Sequence, residues 1–125
     1  MSFHNLTPEE EAVIVHQATE PPFSGEYDAL FTPGTYVCRR CGNPLFSSVA
    51  KFHSGCGWPS FDFHFPGAVK RTLDADGSRT EITCANCGGH LGHVFEGEGM
   101  TPKDTRHCVN SRSIKFIAKT DESEK

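Results

Sequence analysis

Two Cys-x-x-Cys-Gly elements, Cys38-Arg39-Arg40-Cys41-Gly42 and Cys84-Ala85-Asn86-Cys87-Gly88, constrain this chain more than any other feature. Each pair can present two thiolates to one tetrahedral ion, and the following glycine permits the tight turn around sulfur. Borderline-soft Zn²⁺ suits four thiolates, and a closed four-ligand site leaves no position for substrate, so Cys38, Cys41, Cys84 and Cys87 are predicted to hold one structural zinc. Iron would take the same ligand set, and a Cys-x-x-Cys redox motif is the competing reading of either pair. Two matched pairs favour the metal. The intervening stretch, residues 42–83, is longer than a usual finger spacing, yet each doubling of a closed loop costs only about 0.6 kcal/mol.

A chain of 125 residues fits one domain. The expectation is a single unit over 1–125, with a core of about 6–118, a leading helix and arm over 6–33 and a polar tail at 119–125. Thr7-Pro8-Glu9-Glu10 has the form of a capping box with Pro at the first helical position. A helix over about 7–18 follows, expected only to pack against the body of the domain. Glu20-Pro21-Pro22 cannot continue it and reads as an extended arm. Beyond Gly34 the pattern is short strands with Gly and Pro punctuation: 35–37, 45–47, 61–65, 68–73, 79–84, 91–96, 106–110 and 113–118. Phe61, Phe63 and Phe65 alternate with Asp62 and His64, the period of a half-buried strand. Asp74-Ala75-Asp76-Gly77 reads as a hairpin turn. The fold class is therefore all-β with a short N-terminal helix.

A formal net charge of −4, falling to about −6 with a thiolate-bound zinc, argues against nucleic acid as a partner. No run approaches the roughly 20 apolar residues that span a bilayer. The first twenty residues lack the basic start and apolar run of a signal peptide and are acidic rather than Arg-rich, so a cytoplasmic protein is expected. In that compartment cysteines serve as metal ligands or redox groups before they serve as structural disulfides.

Cys56 and Cys108 remain. If residues 106–110 form a strand, Arg106, Cys108 and Asn110 share one face. That face is polar and unsuited to a core, and a guanidinium beside a thiol favours the reactive thiolate. Cys56, between Gly55 and Gly57, reads equally as reactive or structural when taken alone. Trp58, fixed by Pro59, could wall a ligand site or fill a core. His90 and His93 would face opposite sides of a regular strand. A bulge, easiest at Gly92, would bring both to one site, as proton donors rather than ligands.

The ordered set Cys-x-x-Cys, Ser54-Gly-Cys-Gly-Trp-Pro-Ser-Phe61, Cys-x-x-Cys, His90-Leu-Gly-His-Val-Phe95 and Arg106-His-Cys-Val-Asn-Ser111 resembles the B-type peptide methionine sulfoxide reductases, as does Glu20-Pro-Pro-Phe-Ser-Gly25. The resemblance covers about residues 6–118. It implies two small antiparallel sheets, barrel-like, and reduction of methionine-R-sulfoxide, free or in proteins. By the same resemblance Cys108 is the nucleophile that becomes a sulfenic acid, and Cys56 resolves it to a disulfide that thioredoxin reduces. His93 and His90 match proton-donor positions, Trp58 and Phe95 the pocket for the substrate methyl, and Arg106 and Asn110 polar site positions. Two departures stand out. His107 occupies a place where the family usually has Tyr or Phe. Glu96-Gly97-Glu98-Gly99 replaces the usual Pro-Asp-Gly-Pro, so the customary acid falls at Gly97 or shifts to Glu98.

Two other readings compete. A non-catalytic zinc β module for protein interaction would have no need of the Arg106–Cys108–Asn110 face. A zinc hydrolase using His90 and His93 would need an open metal position that four thiolates do not leave.

Overall fold

A computed structural model describes residues 5–74 and 77–118. The described residues fold as a short helix, α1 (Pro8–Ile14), followed by nine strands: β1 (Gly34–Cys38), β2 (Pro44–Ser47), β3 (Lys51–Phe52), β4 (Ser60–Phe61), β5 (Val69–Leu73), β6 (Thr80–Cys84), β7 (His90–Glu96), β8 (Thr105–Val109) and β9 (Ile114–Ala118). They form two antiparallel sheets of order β2-β1-β9 and β3-β4-β8-β7-β6-β5. No helix among the described residues is long and apolar enough to cross a membrane.

Side-chain alternation explains how the sheets meet. Tyr36, Phe46 and Ile114 from the smaller sheet and Phe61, Ile82, Leu91 and Val109 from the larger are all fully buried in one apolar cluster. Phe46 stacks on Phe61 at 4.4 Å between ring centres, and Tyr36 meets Phe61 edge-on at 5.1 Å. Aromatic pairs of this kind contribute about 0.5–1.5 kcal/mol each beyond their area burial.

The capping box at Thr7 is complete: Thr7 Oγ1 accepts from the Glu10 amide, and Glu10 Oε1 accepts from the Thr7 amide. Val13 and Ile14 bury the apolar face of α1. The helix stops earlier than the predicted residue 18. Gln17 takes a left-handed φ of +62° and sends its amide Nε2 to Glu81 Oε2 at 3.1 Å. The helix end is thus pinned to the larger sheet rather than merely laid on it.

The strand predicted over 61–65 is only Ser60–Phe61. Beyond Phe61 the backbone turns to other partners, Asp62 N donating to Ala50 O and Phe65 N to Leu45 O. Phe63 and Phe65 still pack half-buried on the core, which satisfies their alternation without a ladder. The hairpin joins β5 to β6, with Asp74 N donating to Arg79 O and Gly77 N to Asp74 O; its positions 75 and 76, like the predicted tail at 119–125, lie outside the described residues.

Candidate active site

Each Cys-x-x-Cys loop is the same turn. The amides of Gly42 and Gly88 donate to Cys38 O and Cys84 O, and both glycines hold left-handed φ values of +82° and +76°. The turns bring the Sγ atoms of Cys38, Cys41, Cys84 and Cys87 within 4.8 Å of one another, with Cys38–Cys87 and Cys41–Cys84 each at 3.6 Å. Sulfurs 2.3 Å from a tetrahedral zinc would lie about 3.8 Å apart, so the cluster fits such an ion. N–H donors converge on the sulfurs, from Asn86 Nδ2 to Cys41, the Gly89 amide to Cys87 and Asn43 Nδ2 to Cys84, as suits thiolates.

The second sulfur pair is built by strand pairing. Ser60 of β4 and His93 of β7 lie opposite Cys108 from its two flanking strands, so their side chains share its face. The short β4 anchors the preceding loop over β8 and sets Cys56 Sγ 3.8 Å from Cys108 Sγ. The two thiols line one pocket of about 150 Å³ with Trp58, Phe95, His93 and Arg106. Trp58 Nε1 donates to the backbone oxygen of Glu20, which fixes the indole. Asn110 lines the same pocket, but its amide serves the scaffold: Oδ1 accepts from the Glu20 amide and Nδ2 donates to Leu91 O.

The sulfurs share their protons unequally. Cys56 is pulled down to about 4, first by the hydrogen bond from Cys108, against burial, and then by the Ser54 and Ser60 hydroxyls. Cys108 is pushed up by the same hydrogen bond and by burial. Arg106 does lower the Cys108 thiol as expected, but these two effects outweigh it. The contact thus favours the thiolate form at Cys56 over that at Cys108.

Arg106 is itself clamped. Its guanidinium lies 4.5 Å from the Phe95 ring centre and forms a two-pronged contact with Glu98, at 2.8 and 3.1 Å. Of the two positions, 97 and 98, it is Glu98 whose carboxylate meets Arg106.

The bulge that two facing histidines require is present. Ile82 pairs with Gly92 and Thr83 with His90, which leaves Leu91 as the extra residue of β7. The rings of His90 and His93 meet edge-on with centres 5.7 Å apart. Burial, followed by the nearby Arg79, lowers the His93 pKa, while Asp74 at 3.3 Å opposes that shift.

Several contributors escaped the sequence reading: Glu20 behind Trp58, Ser54 and Ser60 on Cys56, and Asp74, Arg79 and Glu81 around the histidines. Only the alternation within Thr80–Cys84 hinted that Glu81 shares a face with Thr83. Nothing local revealed which residues that face meets.

Fold and site together define a class: a two-sheet β protein that carries a four-thiol cluster able to hold a metal ion and, apart from it, a pair of cysteines positioned for disulfide exchange. A SelR domain model matches residues 6–118. The chain is 59% identical to peptide methionine sulfoxide reductase B3, chloroplastic, of Oryza sativa subsp. japonica, over 94% of this chain and 52% of that protein. It is 58% identical to peptide methionine sulfoxide reductase B2, chloroplastic, of Arabidopsis thaliana, over 89% of this chain and 55% of that protein. It is also 58% identical to rice peptide methionine sulfoxide reductase B5, over 89% and 82%. The chain spans about half the length of the first two relatives. It belongs to the SelR-domain family of B-type peptide methionine sulfoxide reductases.

Proposed function

We propose that this chain, acting as one domain, reduces methionine-R-sulfoxide, free or in oxidised proteins, to methionine. The single observation that carries the reading is the 3.8 Å contact between Cys56 and Cys108 in a pocket walled by Trp58 and Phe95, with His93 opposite Cys108. A module whose only chemistry is the four-thiol cluster does not account for that contact.

Trp58 and Phe95 hold the substrate methyl and exclude water. One proton passes between the paired sulfurs, so its transfer to Cys56 exposes the Cys108 thiolate. Cys108 attacks the sulfoxide sulfur while His93, with His90 helping through water, gives a proton to the oxygen. The methionine S–O bond breaks, the oxygen ends on Cys108 as a sulfenic acid, and methionine leaves. Cys56 then attacks the Cys108 sulfur, a disulfide forms and the oxygen departs as water. Arg106, held by Glu98 and Phe95, places positive charge beside the sulfurs. Asn110 keeps arm and strand in place around them.

A dithiol of the thioredoxin type restores both thiols. Cys38, Cys41, Cys84 and Cys87 hold zinc as a structural clip. The setting we propose is cytoplasmic, with neither membrane nor nucleic acid as a partner; two relatives carry chloroplast names, and cell fractionation distinguishes these compartments.

The test offers separate R and S epimers of a methionine-sulfoxide peptide with dithiothreitol. Reduction of the R epimer alone is expected. Cys108→Ser abolishes it, and Cys56→Ser keeps one reduction per enzyme but loses thioredoxin-driven cycling. Full turnover by Cys108→Ser sinks the mechanism.

A further inference from the structure

Beside the thiol pocket lies a second cavity of about 380 Å³, lined by polar and charged side chains. His93 and Arg79 border both spaces. Within the second, each imidazole meets its own carboxylate: His93 Nε2 lies 3.3 Å from Asp74 Oδ2, and His90 Nδ1 lies 2.7 Å from Glu81 Oε2. The His90 pair is the more enclosed, with side chains 4% and 15% exposed. Gln17 Nε2 donates to the same Glu81 oxygen from beyond the end of α1. His90 Nε2 is buried and has no partner among the described residues.

An ionised carboxylate only accepts hydrogen bonds. Glu81 therefore obliges Nδ1 to carry the proton of a neutral His90 and leaves Nε2 as the nitrogen free to take up and give a proton. An acid that holds an imidazole in one tautomer and one orientation acts through that ring without touching the reacting atoms. Proton balance says why such a device is useful. The sulfoxide oxygen leaves as water with two protons. Cys108 attacks as a thiolate, so the proton that the oxygen takes in that step must reach it from a donor other than the attacking sulfur. His93 stands opposite Cys108, whereas His90 lines the second cavity and not the thiol pocket.

We infer that Glu81 is a positioning residue for the reduction step, holding His90 as its Nδ1–H tautomer so that Nε2 can exchange a proton beside the His93 ring, 5.7 Å away between centres. The inference rests on the sulfoxide-reductase reading above. Glu81 reaches this role through the bulge at Leu91, which turns His90 onto the face that Glu81 shares with its strand partner His93.

The experiment separates oxygen transfer from recycling. For Glu81→Gln, the single-turnover rate of methionine formation is expected to fall roughly 10- to 100-fold with KM little changed. Dithiothreitol reduction of the preformed Cys56–Cys108 disulfide, which protonates no departing oxygen, keeps its wild-type rate. Glu81→Asp, which retains the acceptor, recovers part of the loss. Nitrogen-15 NMR of the wild-type protein at neutral pH should show His90 protonated on Nδ1, a readout independent of how any variant folds. A wild-type His90 protonated on Nε2 instead, an unimpaired Glu81→Gln, or equal losses in both half-reactions overturns the role of Glu81. A wild-type protein that leaves both sulfoxide epimers untouched overturns the activity itself, whatever the NMR shows.

Discussion

His107 shows how a single buried side chain can carry an acid sensitivity of the fold. It points away from Cys108 into the core, with Nδ1 on Phe61 O at 3.0 Å and Nε2 buried without a partner among the described residues. Burial, acting against that hydrogen bond, lowers its pKa to about 4. The unfolded chain binds the proton near the ordinary value of about 6.5. Between those values the unfolded state holds more protons, so stability complete above about pH 6.5 declines as the pH falls toward 4, by up to about 3 kcal/mol. His107→Phe fits a site ringed by Phe46, Phe61 and His64 and should remove this part of the acid sensitivity. Urea midpoints at pH 7 and 4.5 check it: an acid loss as large in the variant as in the parent would rule His107 out.

Among the elements, the β7–β8 pair does the most to build the site. A side chain at Gly92 would overlap the backbone oxygen of Cys108, so glycine is what lets the two strands close at the nucleophile. Gly92→Ala should part them there, destabilise the fold by about 2 kcal/mol or more, and lose reductase activity beyond what the instability explains. Thermal melting and activity measured below the melting range separate these effects. A fully active, equally stable variant would show that the close approach is dispensable. The alternation in Arg106–Asn110 and the need for a bulge near Gly92 could be read directly, because strand period and glycine permissiveness are local properties. The partners of those strands could not. The failure at 61–65 has the same root, since alternation records burial and says nothing about whether a ladder exists.

For the molecule as a whole, the four-thiol cluster closes the fold where its two sheets end. Cys38 terminates β1 in the smaller sheet and Cys84 terminates β6 in the larger, so one ion would clip both across a long chain separation. Chelating the metal under reducing conditions should lower the melting temperature by roughly 10 °C or more, and adding zinc back should restore it. Cys41→Ser should melt near the chelated value with or without zinc. An unchanged melt after verified metal loss would leave the aromatic core as the sole closure.

By itself the sequence determined which atoms are available: four thiols in two matched turns, two more thiols apart from them, two imidazoles and the periods of the strands that carry them. Those follow from residue chemistry and neighbours within a few positions. Only the tertiary structure decided that Cys56 meets Cys108, that Glu98 clamps Arg106, and that Glu81 and Asp74 each take a histidine. Each of these depends on strand register and on groups many residues apart brought within a few ångströms, where Coulomb and hydrogen-bond energies first become large enough to choose among alternatives.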